Sequence, residues 1–210
     1  GSIAYPSDTI CYGDSVMLNG TGASQYFWTG GVIDSVKFMP VGSGTYTVIG
    51  TDVYGCSQTA FKEIIVNPKP NFQFISAYSI ICLGQPTTIT AITASGPTNY
   101  FWQPGSYTSS SILVAPLSTT IYTVTATNIN GCTNTATSLV TVNQLPIVTT
   151  STTNASICAG QVTTITANGA NNYVWQPGNS TNSSISVSPT TTTTYTVTGT
   201  GASGCTKTAT

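Results

Sequence analysis

The sequence contains very little charge. Its 210 residues include four Lys, four Asp and one Glu, with no Arg and no His, so charged residues make up 4% of the chain. Pro70 to Thr206 contains no Asp, Glu, Lys, Arg or His. General acid–base catalysis needs a positioned titratable side chain, and nucleic-acid binding needs Lys and Arg to neutralise phosphates. The composition therefore argues against an enzyme and against a nucleic-acid-binding protein.

Long hydrophobic runs and helical patterns are also missing. No apolar run reaches the roughly 18 residues that a membrane-spanning helix needs. Hydrophobic residues nevertheless make up 40% of the chain and aromatic residues 10%, whereas disordered segments have few of either. Ser and Thr account for 65 residues, and the β-branched Thr favours strands. We therefore expect an all-β protein with an uncharged, hydroxyl-rich surface.

One pattern occurs three times along the chain, and we interpret the three copies as tandem domains. Each copy begins with C-x-G, continues to Y-x-W and closes with G-C-x-x-T-A. The links NPKP (67–70) and NQLP (143–146) contain Pro, which interrupts a sheet and stiffens a connection. The predicted domains are repeat 1 (1–68), repeat 2 (69–144) and repeat 3 (145–210).

Within each repeat, short runs of two-residue hydrophobic period alternate with turn-forming clusters of Gly, Pro, Asn and Ser. This spacing of strands is typical of a two-sheet sandwich, and the short Pro links predict a semi-rigid rod. In repeat 2 the pattern predicts strands near 73–79, 86–93, 99–103, 111–115, 119–127 and 133–142.

The last strand of repeat 3 is incomplete, because the chain stops at TKTAT where repeat 2 continues TNTATSLVTVN. We favour truncation of a longer array as the explanation. The alternative is that a neighbouring chain donates the missing strand.

The combination of C-x-G, Y-x-W, G-T-Y-T-V at 44–48 and G-C-x-x-T-A resembles the Ig-like and PKD-like surface repeats of Bacteroidota. It is most similar to the SprB-type repeats of gliding adhesins and to the Ig-like modules of proteins exported by type IX secretion. The resemblance covers all three repeats. It implies three tandem Ig-like β-sandwich domains and an extracellular, cell-surface location.

The six cysteines recur at two positions of the repeat. We expect each repeat to be closed by its own disulfide, in an oxidising, extracellular setting. The alternatives are weaker, because zinc sites use closely spaced ligand pairs and a catalytic cysteine needs a nearby base; a free structural thiol is the remaining alternative. The predicted bridges are Cys11–Cys56, Cys82–Cys132 and Cys158–Cys205.

The aromatic residues fall into a recurring and a non-recurring class. The recurring tryptophans are predicted core residues, with sugar stacking as the alternative: Trp28, Trp102 and Trp175. Several tyrosines have no counterpart in the other repeats, so a shared core role does not explain them. Tyr12, Tyr54 and Tyr107 are the candidate ligand contacts among these. Packing against a neighbouring domain and plain surface exposure are the alternatives.

Asp14 and Asp52 are the candidates for a metal site, because they flank the two cysteines of repeat 1 and carboxylates near a turn can hold Ca²⁺. The spacing of an Asp-rich calcium loop is absent, and repeats 2 and 3 have no counterpart. A solvated surface is therefore the favoured interpretation. We expect no cofactor and no catalytic residue.

These observations predict a structural and adhesive segment of a surface protein. It would serve as a stalk, or as a repeat surface in which many weak contacts add up to firm attachment. The expected partners are surfaces, polysaccharides or neighbouring copies of the same protein. The alternatives are a carbohydrate-binding accessory module of a secreted enzyme and a filament subunit assembled by strand donation.

Overall fold

The structure, a computed structural model, describes residues 8–75, 78–94 and 99–210. Strands make up almost all of its regular secondary structure, and a 3₁₀ turn at Thr29–Gly31 is the one helical element among the described residues. The prediction of an all-β chain is confirmed. Each of the six sheets takes its strands from one repeat only.

Repeat 1 forms a four-stranded and a two-stranded sheet. The larger sheet has the order β1-β6-β5-β3, and β2 pairs with β4 in the smaller one. The strands are β1 (Asp8–Cys11), β2 (Val16–Met17), β3 (Gln25–Trp28), β4 (Lys37–Phe38), β5 (Gly44–Thr51) and β6 (Ser57–Asn67).

Repeat 2 forms a four-stranded sheet of order β10-β12-β13-β8 and a three-stranded sheet of order β11-β9-β7. The strands are β7 (Phe72–Ile75), β8 (Tyr78–Cys82), β9 (Thr87–Thr93), β10 (Asn99–Gln103), β11 (Ser111–Val114), β12 (Thr120–Thr127) and β13 (Thr133–Asn143).

Repeat 3 forms two three-stranded sheets, of order β14-β15-β17 and β16-β18-β19. The strands are β14 (Thr149–Thr152), β15 (Thr163–Asn168), β16 (Asn172–Gln176), β17 (Ser184–Val187), β18 (Thr196–Thr200) and β19 (Thr206–Ala209). The last strand is therefore four residues long, whereas its equivalents β6 and β13 have 11 residues each.

Contacts divide the chain into two compact units, which do not coincide with the repeats. The first comprises Gly1–Ile75, Ala91–Ser110 and Thr123–Ala136, and the second comprises Ser76–Thr90, Ser111–Tyr122 and Thr137–Thr210. The three predicted domains with boundaries at 68 and 144 stay a prediction.

Each unit contains a core between two sheets. In the first unit, Leu18 next to β2 packs with Trp28, Val48 and Ile64 of the larger sheet of repeat 1. In the second unit the buried cluster is Ala167, Tyr173, Trp175 and Val197, and it draws on both sheets of repeat 3. Successive side chains of a strand point to opposite faces of the sheet, so buried residues alternate with more exposed ones. This alternation agrees with the two-residue hydrophobic period of the sequence.

Parallel pairing of strands determines where the opening cysteines of repeats 1 and 2 lie. In repeats 1 and 2, the strand that ends at the opening cysteine runs parallel to the last strand of the same repeat. The register places Cys11 beside Asn67 and Cys82 beside Asn143. Each opening cysteine therefore lies where the chain leaves its repeat and enters the Pro-containing link.

Candidate functional site at the junctions between repeats

Two disulfides join successive repeats. Cys11 of repeat 1 is bonded to Cys132 of repeat 2, with Cα atoms 5.5 Å apart, and Cys82 of repeat 2 is bonded to Cys205 of repeat 3, with Cα atoms 5.6 Å apart. Both separations lie in the usual range for a disulfide. In each bridge, the opening cysteine of one repeat meets the closing cysteine of the next.

The predicted pairing within each repeat is wrong, because the two cysteines of a repeat lie at opposite ends of its longest strand. Cys11 lies beside Asn67, the last residue of β6, whereas Cys56 directly precedes its first residue, Ser57. Eleven extended residues span about 33 Å, and a disulfide needs Cα atoms within about 7 Å. The same geometry separates Cys82 from Cys132 across β13.

The link between repeats 1 and 2 is held by side chains of repeat 2. The Nδ2 amide of Asn128 donates to the carbonyl oxygen of Pro68 at 2.8 Å, and that of Asn134 donates to the carbonyl oxygen of Pro70 at 2.8 Å. The Pro70 side chain is fully buried. The carbonyl oxygen of Asn67 lies 3.9 Å from the Sγ atom of Cys132. The Cys11–Cys132 bridge and the amides of Asn128 and Asn134 therefore fix the link along its length.

The link between repeats 2 and 3 makes an equivalent junction with different side chains. The carbonyl oxygen of Asn143 lies 3.9 Å from the Sγ atom of Cys205. Beyond the bridge, Val148 packs so closely on Gly199 that a Cβ atom there would overlap its side chain. Gly169 has a φ of +91°, and a Cβ atom on it would overlap the carbonyl oxygen of Ile147. These two positions require glycine because the link lies directly against them.

Two of the six cysteines predicted to form bridges are free. Cys56 closes repeat 1 and Cys158 opens repeat 3, and both are exposed. Each one is fixed by its backbone: the Cys56 N–H donates to Oδ1 of Asp52 at 2.9 Å, and the Cys158 N–H donates to Oε1 of Gln161 at 3.2 Å. The unpaired cysteines are therefore ordered residues at the surface.

The three recurring tryptophans are buried, with Trp28 6% exposed and the other two 0% exposed. A buried indole needs an acceptor for its N–H. In repeats 2 and 3 the acceptor is a backbone carbonyl seven residues further on, Ser109 for Trp102 and Asn182 for Trp175, at 2.8 and 2.9 Å. In repeat 1 the acceptor is a carboxylate oxygen of Asp34, at 2.8 Å.

The role of Asp34 was not identified in the sequence analysis. Its Oδ1 atom accepts hydrogen bonds from the Trp28 indole and, at 2.7 Å, from the backbone N–H of Gly20, while Ser35 donates to Oδ2 at 3.1 Å. The indole donor lowers the pKa of Asp34 most, followed by the Gly20 N–H, and burial opposes both. The sequence feature that could have indicated this role is the position of Asp34, six residues after the predicted core residue Trp28.

We predict that Asp34→Asn weakens the dependence of stability on acid. Because the folded-state pKa of Asp34 is lowered, its carboxylate stabilises the fold above the unfolded pKa of about 3.9. That contribution is lost as the pH falls through the folded pKa. Asn keeps an acceptor oxygen for Trp28 but does not titrate. Thermal unfolding of the wild-type chain and the Asp34→Asn variant between pH 2 and pH 6 measures the effect. Equal slopes of stability against pH for the two proteins would contradict the assignment.

The structure does not bring Tyr12 and Tyr54 together. Tyr12 follows Cys11 and Tyr54 lies in the turn before Cys56, so the two residues lie at opposite ends of β6, about 30 Å apart. They are 58% and 87% exposed. Tyr107 is 40% exposed, and its ring covers Gly105. The candidate tyrosines therefore do not form one shared platform.

Asp14 and Asp52 likewise lie at opposite ends of β6, and each accepts hydrogen bonds inside its own turn. Asp14 accepts from the Cys11 N–H at 3.1 Å, and Asp52 accepts from the N–H groups of Tyr54 and Cys56 at 2.8 and 2.9 Å. The two candidate metal ligands therefore do not converge on one site. In repeat 2 Asn128 makes the same turn contacts as Asp52 without a charge, accepting from Cys132 at 3.0 Å. No group of three or more His, Cys, Asp or Glu that could hold a metal occurs among the described residues.

Surface grooves occur in the described residues of repeats 3 and 1. One of about 970 Å³ lies in repeat 3, between the segment that leads to Cys158 and the segment Thr190–Tyr195. The other, of about 690 Å³, lies in repeat 1 and includes Asp52, Cys56 and Gln58. Within the described part of the chain, no helix is long and apolar enough to cross a membrane.

Comparisons with known proteins find similarity of structure only. No family model matches the sequence, and no curated protein is significantly similar to it. The structure resembles titin domains I67–I69, with 13% identity, a TM-score of 0.42 and coverage of 96% of this chain and 93% of titin's. It also resembles the eight N-terminal Ig domains of DSCAM, with 15% identity, a TM-score of 0.44 and coverage of 99% and 41%.

A third similar structure comes from Bacteroides ovatus. It is SGBP-B of a mixed-linkage glucan utilization locus, in complex with a mixed-linkage heptasaccharide. The identity is 19%, the TM-score is 0.28, and the alignment covers 98% of this chain and 62% of that one. The predicted membership in the SprB-type repeats of Bacteroidota stays a prediction.

Proposed function

We propose that this chain is a non-enzymatic structural and adhesive segment of an extracellular surface protein, in which tandem repeats act as a covalently reinforced stalk. The observation that carries the proposal is the pair of disulfides that join each repeat to the next. A bridge between repeats does not close a small domain. It instead transmits tension from one repeat to the next.

The junctions support this proposal beyond the bridges themselves. A stalk loses reach if its links bend freely, and the link after repeat 1 is fixed by Asn128, Asn134 and the buried Pro70. The arrangement of the repeats as a semi-rigid rod is part of the proposal. Export through an oxidising compartment is also part of it, because disulfides persist there.

The proposal assigns no catalysis to the chain. Asp14, Asp34 and Asp52 accept hydrogen bonds that hold turns or the core tryptophan of repeat 1. Between Pro70 and Thr206 the chain has no Asp, Glu, Lys, Arg or His to act as a general acid or base. A location at the bacterial cell surface, a part in gliding and export by type IX secretion rest on the motif resemblance alone.

The surface suits broad, weak contact. Large apolar side chains are exposed in all three repeats, including Val41 at 93%, Ile129 at 85% and Ile147 at 81% exposure. Such a surface makes many small apolar and hydrogen-bonding contacts, and tandem copies multiply them. The partners in this proposal are solid surfaces, polysaccharides and neighbouring copies.

The experiment that tests the proposal measures binding of the whole chain to a polysaccharide panel and to abiotic surfaces. Because the candidate tyrosines form no shared platform, we expect weak surface retention that Tyr12→Ala, Tyr54→Ala and Tyr107→Ala change by less than about twofold. Saturable binding to one polysaccharide, lost in any of these variants, would contradict the stalk proposal. It would favour the carbohydrate-binding module instead.

A further inference from the structure

The outer face of the larger sheet of repeat 1 carries a cluster of large apolar side chains. Phe27 of β3 is 70% exposed, Ile49 of β5 is 39% exposed and Phe61 of β6 is 52% exposed. The register pairs Phe27 directly with Ile49, and it pairs Ile49 with Thr59, two residues before Phe61. Because side chains alternate along a strand, all three point away from the core. We refer to Phe27, Ile49 and Phe61 as the phenylalanine face.

Repeat 2 shows that the fold does not require these side chains. In the repeat pattern, Thr125 and Thr137 of repeat 2 occupy the positions of Ile49 and Phe61. Thr125 pairs with Phe101 in the register that Ile49 has in repeat 1. Repeat 2 thus forms the equivalent four-stranded sheet with hydroxyl side chains at both positions. The large apolar side chains of repeat 1 therefore need an explanation other than folding.

The exposure of this part of the sheet does not depend on a nearby end of the chain. Phe101 lies at the position of Phe27, in a repeat that has described residues of repeat 1 before it and of repeat 3 after it. Its side chain is nevertheless 41% exposed. The link before repeat 2 is instead held by Asn128 and Asn134, at and beside the closing turn. An adjoining repeat therefore leaves this position of the sheet exposed.

Hydroxyl groups surround the phenylalanine face, and charge is almost absent from it. The outward-facing hydroxyl side chains of β5 and β6 are Thr45, Thr47, Thr51, Ser57 and Thr59. Among the outward side chains of the described strands of this sheet, Glu63 carries the only charge. Charged partners are recognised by complementary charge, which this face does not offer to an anionic polymer. The face therefore suits a neutral ligand that is rich in hydroxyl groups.

The size of the apolar cluster also favours such a ligand. The exposed parts of its side chains amount to about 300 Å², whereas each partner of a stable protein complex buries about 800 Å². The spacing and rise of the strands place the Cβ atoms of Phe27 and Phe61 about 12 Å apart. That distance exceeds the length of one sugar ring, so the two phenyl rings can contact different sugars of one chain.

We propose that the phenylalanine face binds a neutral polysaccharide of the cellulose type, whose equatorial hydroxyls leave C–H groups on both faces of every sugar ring. The negative faces of the Phe27 and Phe61 rings attract those C–H groups, and the surrounding Ser and Thr side chains hydrogen-bond the sugar hydroxyls. The inference rests on the proposed function, because it assigns the polysaccharide contacts of that proposal to one face. Each contact is weak, and several copies on one fibre add up to firm attachment.

The experiment measures retention of the whole chain on cellulose. The double variant Ile49→Thr, Phe61→Thr introduces the residues of repeat 2 and therefore keeps a sheet that is known to form. We expect its retention to fall by about fivefold or more. Val41→Ala is the matched control, because it removes a 93% exposed apolar side chain that lies outside the strands. It should change retention by less than about twofold, and matching thermal unfolding establishes that both variants are folded.

A second double variant tests the same assignment by gain of binding. Thr125→Ile, Thr137→Phe completes a phenylalanine face around Phe101 in repeat 2. The chain then carries two such faces, which can engage one fibre together. We expect retention on cellulose to rise by about fivefold or more, and an unchanged retention would contradict the inference.

Four other results would overturn the inference and leave the stalk proposal standing. The first is undiminished retention of the Ile49→Thr, Phe61→Thr variant, and the second is an equal loss in Val41→Ala, which would indicate general apolar adhesion. The third is retention that disappears at roughly 0.5 M salt, as charge attraction would. The fourth is a wild-type dimer that the double variant does not form, which would assign the face to a second copy. Absence of wild-type retention on every polysaccharide and abiotic surface would instead overturn both proposals.

Discussion

Pulled by its two ends, the oxidised chain is expected to extend to about 230 Å and no further, whereas the reduced chain extends to about 730 Å, at about 3.5 Å per extended residue. The difference arises because the two bridges interleave. The shortest covalent path enters at Cys11, crosses to Cys132, follows the chain back to Cys82 and crosses to Cys205. That path contains only about 65 residues of backbone at this spacing.

Single cysteine variants distinguish this pairing from bridges within each repeat. Cys132→Ser breaks the first bridge, so the limit should rise to about 300 Å. Cys56→Ser is the matched control and should leave the limit at about 230 Å, because Cys56 is free. If each repeat closed its own bridge, Cys56→Ser would instead lengthen the path to about 390 Å. Single-molecule pulling with handles at both ends measures these lengths.

The bridges are expected to stabilise the fold as well as limit its extension. Their loops span sequence separations of 121 and 123 residues. In the chain-entropy model, a loop of that length lowers the entropy of the unfolded state by an amount worth about 5 kcal/mol. Reduction of the two disulfides should therefore lower the free energy of unfolding of the chain.

Trp102→Ala is expected to lower the free energy of unfolding by about 3–5 kcal/mol. The Trp102 side chain is 0% exposed, and its indole N–H donates to the carbonyl oxygen of Ser109 at 2.8 Å. Truncation to Ala removes a large apolar surface from the core and leaves a cavity. The loss is a large part of the roughly 5–15 kcal/mol that stabilises a typical domain.

Phe101→Ala is the matched control for this prediction. Phe101 is the neighbouring residue of the same strand, and its side chain is 41% exposed on the opposite face. Its truncation should cost about 1 kcal/mol or less. Equilibrium unfolding in denaturant measures both variants. Equal losses in the two variants would contradict the assignment of Trp102 to the core.

Strand positions could be predicted well because alternation of Thr with Val, Ile and Tyr is a local signal. The expected strands near 99–103 and 119–127 agree with β10 and β12. The single strand expected near 73–79 is wrong, since β7 and β8 belong to different sheets. Ser76 and Ala77 between them lie outside the described residues.

The disulfide pairing could not be predicted from the repeat, because a repeat shows which residues are equivalent but not which ends of a strand they occupy. Only the parallel pairing of β1 with β6 reveals that Cys11 lies beside Asn67 and far from Cys56. Parallel pairing between the strand of the opening cysteine and the last strand of the repeat is a non-local contact, which a period of two does not encode. The same parallel pairing separates Tyr12 from Tyr54.

The role of Asp34 could not be predicted for a different reason, since it depends on the conformation of the turn after β3. The sequence shows that Trp28 should be buried, but the acceptor for its N–H depends on how the turn after β3 folds. Repeats 2 and 3 fold this turn so that a backbone carbonyl takes that place. A local change of turn thus converts an apparently solvated Asp into a structural residue.

Peptide mapping of the oxidised chain tests directly whether the disulfides join successive repeats. The free thiols are alkylated, the chain is digested without reduction at acidic pH, and the linked peptides are identified by mass spectrometry. We expect the links Cys11–Cys132 and Cys82–Cys205, with alkyl groups on Cys56 and Cys158 of the monomer. Links of Cys11 to Cys56 and of Cys82 to Cys132 would contradict disulfides between repeats.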